Sequence, residues 1–162
     1  MSTSVIADAF RETCRARRAS NAVLWLPFDR ALTFDDLYAQ FAAIRSAFSR
    51  HGIGEGACVV SAVGNHPVFF PLFVACMDAG AALLPLGEAT DVEAAAIVQI
   101  SGAACVVTDR PLAIDAAATT TLGDGVALLN LEHRHATRPY GRSLVMKLTS
   151  GSTNLPKATL AS

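Results

Sequence analysis

Residues 57–86 read ACVVSAVGNHPVFFPLFVACMDAGAALLPL, and their pattern decides the fold class. The stretch 57–63 is a continuous apolar run with one hydroxyl, Ser61, which suits a strand covered on both faces. Asn65 can cap a helix that ends near Gly80, with Pro71 either kinking it or starting its regular part. Residues 81–86 form a second apolar run, again of strand length. Strand, helix and strand in so short a span predict a parallel pair with its crossover helix. The part from Val68 to Leu86 is also the most membrane-like of the chain. Asp78, Pro71, Gly80 and Pro85 interrupt it, so it reads as a buried helix, turn and strand rather than a membrane span.

The same alternation continues outward in both directions. Upstream, Thr33 and Asp36 form a capping box for a helix whose apolar stripe is Leu37, Phe41, Ile44 and Phe48, closed by Gly52. Before it lie a short strand at 32–34, a turn at Phe28-Asp29-Arg30 and a strand at 22–26 ended by Pro27. A first helix over 4–18 places Ile6, Phe10 and Cys14 at helical spacing. Downstream, Thr90 and Glu93 form a second capping box, for a helix to about Ser101. Strands are predicted at 104–108, 126–131 and 144–148. The alanine- and threonine-rich stretch 110–125 reads as a loop with one helical turn at most, and 132–142 as a polar surface loop. The predicted fold is α/β, a mostly parallel sheet flanked by helices, with no interior linker that would divide it.

Composition agrees with a packed core. The chain has 162 residues, about one domain's worth, and 52% are hydrophobic, which excludes a disordered chain. The formal net charge is −1 and no long block of like charge occurs, so no nucleic-acid footprint is present. The densest basic cluster, Arg11, Arg15, Arg17 and Arg18, reads as the solvated face of the first helix. Cys14, Cys58, Cys76 and Cys105 include no C-x-x-C pair and three lie in apolar runs, which points to a reduced, cytoplasmic chain. Asp8 and Glu12 interrupt the N-terminal stretch, so neither a signal nor a transit peptide fits.

The segment with chemistry in it is Leu148-Thr149-Ser150-Gly151-Ser152-Thr153-Asn154-Leu155-Pro156-Lys157-Ala158. Successive backbone N–H groups in a tight loop make a concave anion site. Ser and Thr hydroxyls add donors, lysine adds a mobile positive charge, and Gly151 lets the backbone approach a ligand. Pro156 restricts the loop just before Lys157. The Walker pattern is absent, because Pro156 precedes the lysine and Ala158 follows it. Residue types alone leave two readings open, a polyphosphate site and a flexible turn.

The order of residues separates them. Thr149-Ser150-Gly151-Ser152-Thr153, two residues, then Pro156-Lys157 closely resembles the phosphate loop of the adenylate-forming superfamily, which includes acyl-CoA synthetases, peptide-synthetase adenylation domains and luciferases. Leu32-Thr33-Phe34-Asp35-Asp36-Leu37 is similar to an early segment of that family, and Met77 to Leu86 to its helix-to-strand segment. The run from Cys58 into Asn65 matches as well. Together these cover most of the chain from Ala22 onward.

The resemblance implies an enzyme that activates a carboxylic acid with ATP and Mg to an acyl-adenylate, then passes the acyl group to coenzyme A or a carrier-protein thiol. It implies that Thr149, Ser150, Gly151, Ser152, Thr153 and Lys157 hold the ATP phosphates and that none of them transfers protons. Residues 1–162 then correspond to a partial N-terminal domain that stops just past the loop, and the isolated fragment is expected to be inactive. Two departures stand out: the family usually has glycine where this chain has Asn154 and Ala158. They keep alive the alternatives of a stand-alone nucleotide-binding module or a degenerate interaction module without catalysis.

Other constellations read as structural. His133 and His135 form an H-x-H in the polar loop, with no cysteine nearby. His51 sits at a helix C-terminus, Asp35 and Asp36 at a helix start, each complementing the dipole. His66 begins a helix with no partner visible in the sequence. Asp8 and Glu12 read as salt-bridge partners of the interleaved arginines.

Overall fold

A computed structural model describes residues 4–87, 89–131, 145–149 and 157–161. The elements, in chain order, are α1 (Val5–Arg17), β1 (Asn21–Trp25), a 3-10 turn (Leu26–Phe28), β2 (Arg30–Thr33), α2 (Phe34–Arg50), β3 (Cys58–Ala62) and α3 (Phe69–Ala79). They continue with β4 (Ala82–Pro85), α4 (Asp91–Ser101), β5 (Cys105–Thr108), β6 (Ala118–Gly123), β7 (Val126–Asn130), β8 (Val145–Thr149) and β9 (Lys157–Ala161). β1 and β2 form a separate antiparallel hairpin.

The other seven strands make one sheet in the order β6-β7-β5-β3-β4-β8-β9. Its centre is parallel, as the opening stretch predicts. Cys58 to Ser61 pair with Ala82 to Pro85, Val59 to Ala62 pair with Cys105 to Thr108, and Leu83 pairs with Val145. Antiparallel strands finish both edges, β7 and β6 on one side and β9 on the other. The sheet is thus mixed, with a parallel core.

Alternation along β3 sends its side chains to two separate cores. Val59 joins Leu83, Cys105 and Val107 against α1, α2 and α3, with Phe41, Ile44, Phe48 and Leu72 buried there. Cys58 and Val60 join Ala82, Leu84 and Val106 on the opposite face, against Ile97 and Val98 of α4. A continuous apolar run is what a strand covered on both faces requires, and all five residues of β3 are buried.

Both predicted capping boxes are formed. Thr33 Oγ1 accepts from Asp36 N at 3.2 Å while the Asp36 carboxylate accepts from Thr33 N at 2.8 Å. Thr90 and Glu93 repeat the pattern at 3.3 and 2.9 Å. The three helices on one face are tied by a buried ion pair network. Asp78 of α3, with its side chain 5% exposed, accepts from Arg11 of α1 at 2.8 Å and Arg45 of α2 at 2.7 Å. Gly80 ends α3 at φ 70°, where a Cβ would lie 3.4 Å from the Glu55 backbone.

Three expectations change. α3 begins at Phe69, not at Asn65, because Pro67 and the preceding turn keep the chain out of the helix; Pro71 falls in the first turn, where its missing N–H costs no helical bond. The stretch 110–125 contains a strand, β6, which pairs with β7 through a turn at Gly123, Asp124 and Gly125, all at positive φ. β9 adds a strand after the hydroxyl-rich segment. The predicted loop at 132–142, with His133 and His135, lies outside the described residues.

Candidate functional site

The carboxyl ends of β3, β4, β5 and β8 all lie at one edge of the sheet, since these strands are parallel. From neighbouring strands the chain then leaves in opposite directions. β3 runs into α3 on one face, and β4 runs into α4 on the other. Such a divergence opens a crevice between the two strand ends, the usual place for a ligand in an open α/β sheet. A cleft of about 800 Å³ is found at this edge, bordered by Gly64, His66, Gly87, Thr90 and Arg110 and roofed by Trp25 of the β1–β2 hairpin.

The cleft is held by contacts that no local pattern announces. Asp124, at φ 50° in the β6–β7 turn, receives Arg30 at 3.0 and 3.3 Å and Gln40 Nε2 at 3.1 Å. Its carbonyl lies 3.3 Å from His66 Nε2. His66 therefore has partners on both sides, contrary to the sequence expectation, since its Nδ1 accepts from Val68 N at 3.1 Å. This pattern places the proton on Nε2. The His66 ring also meets Trp25 edge-on at 4.6 Å, and Trp25 Nε1 donates to the Asn65 carbonyl at 3.0 Å. At the opposite wall, Arg110 donates to Asp91 at 2.7 Å and holds its carboxyl below the ordinary range. Asp109 accepts from Gly64 N at 3.0 Å and shapes the turn after β3.

The strands that flank the hydroxyl-rich segment meet at this edge of the sheet. β8 runs parallel to β4, so Thr149 ends at the same edge as Pro85. β9 returns antiparallel, and Thr149 is paired with Lys157. The first and last residues of the predicted phosphate loop thus face one another across a hairpin. Ser150, Gly151, Ser152 and Thr153, with Asn154, lie outside the described residues. Ala158 stands in β9 opposite Leu148. Extended backbone suits alanine, so this departure from glycine removes no left-handed conformation that the hairpin needs.

Among the described residues, the remaining titratable groups do not converge on the cleft. The four cysteines are free and buried; burial pushes the Cys58 thiol up to about 12 and raises Cys76 and Cys105 as well. His51 caps α2 and meets Thr120 Oγ1 at 2.9 Å. Asp35 binds Arg18, and Asp8 binds Arg11. Among the described residues, no three His, Cys, Asp or Glu side chains are grouped to hold a metal ion. No described helix is long and apolar enough to cross a membrane.

Comparison with solved structures finds the same arrangement. The inhibitor-bound N-terminal domain of FACL13 from Mycobacterium tuberculosis aligns with 99% of this chain at a TM-score of 0.69 and 20% identity. The N-terminal subdomain of Klebsiella oxytoca NpsA aligns with 99% at 0.67 and 17% identity. Coronafacic acid ligase from Pectobacterium brasiliense aligns with 64% of the chain at 0.56 and 20% identity. At these identities the likeness is one of fold. The chain spans 44% of the FACL13 chain, 42% of the NpsA chain and 21% of the coronafacic acid ligase chain. No curated protein matches it in sequence. A sequence model of the AMP-binding enzymes, however, matches residues 10–162, which takes in the parallel sheet, its helices and the β8–β9 hairpin. The chain belongs to the AMP-binding enzyme family.

Proposed function

We propose that this chain is the N-terminal part of an adenylate-forming ligase, with Thr149, Ser150, Gly151, Ser152, Thr153 and Lys157 as its cradle for the ATP phosphates. One observation supports this most: the two ends of that segment are paired at the carboxyl edge of the parallel sheet, within the span matched by the family. The reaction proposed is attack of a carboxylate on the α-phosphate of ATP, giving an acyl-adenylate and pyrophosphate. Coenzyme A or a carrier-protein thiol then accepts the acyl group.

The chemistry of the donor set fits a polyphosphate. Four hydroxyls and an ammonium offer hydrogen-bond donors and positive charge, and Gly151 removes the side chain where backbone must come close. Holding the β- and γ-phosphates fixes the leaving pyrophosphate in line with the attack and stabilises its developing charge. The same set lacks a carboxylate, so it offers no dedicated cage for Mg. Mg would arrive on the nucleotide and supply charge to the phosphate oxygens. Lys157 adds to that charge from the protein side, and no residue of the cradle needs to accept a proton.

In this reading residues 1–162, which span 44% of the FACL13 chain, supply only part of the ligase and form no acyl-adenylate by themselves. Two experiments test it. Sequencing the DNA after the Ser162 codon should find an open frame running on into further ligase segments. Acid-dependent exchange of labelled pyrophosphate into ATP should be absent for residues 1–162 and present for the longer polypeptide. Exchange by the short chain would refute the incompleteness. ATP binding without exchange in the longer polypeptide would favour a nucleotide-binding module instead.

A further inference from the structure

We infer that the basic face of α1 is a binding site for a small phosphoryl anion, separate from the β8–β9 hairpin. In the sequence, Arg11, Arg15, Arg17 and Arg18 read as a solvated helix face. The fold sorts them. Positions 11, 14 and 15 follow i, i+3, i+4 spacing and share one stripe of α1, and Arg18, the residue that caps its end, lines one depression with them. That stripe faces the start of α2 across a depression of about 220 Å³, lined by Arg11, Cys14, Arg15, Arg18, Asp35 and Tyr38. Arg17 does not line it.

The lining has more donors than its own acid can take. Three guanidinium groups line it beside one lining carboxylate, Asp35; Arg18 pairs with Asp35 and Arg11 pairs outside the lining with Asp8 and Asp78, so the unmatched charge is that of Arg15. Arg18 Nε contacts both Asp35 oxygens at 3.1 and 3.2 Å, and its side chain is 70% exposed. Arg11 is fixed from behind by Asp8 at 3.1 Å and Asp78 at 2.8 Å, and its guanidinium lies 5.2 Å from the centre of the Phe41 ring. Arg15 has no ion pair among the described residues. Arg11 is thus held in place, Arg18 carries an exposed pair with Asp35, and Arg15 is available to close on a ligand. Preorganised groups of this kind lose little entropy on binding.

The helices hold the depression together through their backbones. Asp35 N donates to the Arg18 carbonyl at 3.1 Å, and Phe34 N to the Ser20 carbonyl at 3.1 Å. These two bonds tie the end of α1 to the start of α2. Planar forked donors with a net excess of positive charge match the several acceptor oxygens of a phosphoryl group, which a single carboxylate does not saturate. The volume suits a free phosphate or pyrophosphate. Cys14 closes the floor, and burial with the nearby Asp35 carboxylate keeps it a neutral thiol rather than a competing anion.

The test is a titration of the full chain with inorganic phosphate and, separately, inorganic pyrophosphate, followed by the arginine Nε–Hε resonances. The expected result is saturable shifts of Arg15 and Arg18, weakening as salt is raised. R15Q should weaken the binding about tenfold, the loss of one charged hydrogen bond, and K157A should leave it unchanged. R18Q, which also loses an exposed pair, serves as the second variant. Pyrophosphate binding tighter than phosphate would identify two phosphoryl groups bridging the arginines; equal binding would identify one. Shifts that rise without saturation, persist in both arginine variants or vanish in K157A would overturn the proposal. The last result alone would leave the hairpin cradle standing, so the two sites fail separately.

Discussion

Replacing Asp78 with Asn should loosen the whole helical face of the sheet. Asp78 is nearly sealed, at 5% exposure, and accepts from Arg11 at 2.8 Å and Arg45 at 2.7 Å, whose side chains are 28% and 27% exposed. Removing one partner of a fully buried pair costs about 3–5 kcal/mol, because the other charge is left without compensation. An exposed pair is worth about 0–1 kcal/mol. Here the carboxylate is buried and the arginines reach water, and Asn keeps one acceptor for one of them. The expected loss is therefore about 2–3 kcal/mol, between the exposed and the buried figures. For a chain of this size that corresponds to a melting temperature lower by about 4–12 °C. Urea unfolding read by Trp25, the only tryptophan, together with far-ultraviolet circular dichroism measures it directly. Asp8→Asn, at the 58% exposed end of the same network, is the control and should change stability by less than about 0.5 kcal/mol. If D78N matches the parent while the control behaves as expected, Asp78 does not tie α1, α2 and α3 together and the reasoning fails.

Other outcomes follow from single features of the fold. Gly80→Ala should cost about 1–2 kcal/mol in the same urea assay, because φ 70° is left-handed and the new Cβ meets the Glu55 backbone at 3.4 Å; an unchanged midpoint would contradict the α3 terminus described. Thr33→Ala should cost about 1 kcal/mol through the lost cap of α2. Asp36 is held below its ordinary range by the Thr33 N–H and hydroxyl. Its folded value is the lower one, so its contribution is present above about pH 4 and is lost as pH falls through that folded value. The gap between parent and D36N should accordingly shrink in unfolding curves below about pH 4; a gap that widens in acid would be the wrong sign. At pH 8 iodoacetamide should alkylate the buried thiols Cys58, Cys76 and Cys105 only after urea unfolding, and fast labelling of the native chain would contradict their burial.

Local signals were legible and long-range ones were not. Thr33 with Asp36 and Thr90 with Glu93 mark helix starts, because the capping bonds form within a few residues and need no tertiary partner. The parallel core could be read from 57–86, since a strand buried on both faces is apolar throughout. β6 escaped because its sequence, ATTTLG, is half exposed at the sheet edge and shows no apolar run. Its threonines and the Gly123-Asp124-Gly125 turn were the available hairpin signal.

The candidate site divides in the same way. The residue types of the proposed phosphate cradle stand out in the sequence because the whole motif is contiguous. The clamp on the cleft joins Arg30, Gln40 and His66 to Asp124 across 94, 84 and 58 positions, a spacing no periodic pattern encodes. For the same reason His66 looked partnerless in the sequence and is bonded at both ring nitrogens in the fold. The basic stripe of α1 was visible as a stripe, but only the start of α2 turns it into a depression with walls.

The proposed phosphate cradle is tested most directly by titrating Mg-ATP into the parent and Lys157→Ala forms of the longest polypeptide the reading frame encodes, with AMP as the comparison ligand. Lys157 acts on the β- and γ-phosphates in this account, so K157A should weaken ATP binding about tenfold or more, the loss of a charged hydrogen bond, and leave AMP binding unchanged. Equal ATP affinity in the two forms, or an equal loss for ATP and AMP, would contradict a cradle for the terminal phosphates built from Thr149 to Lys157.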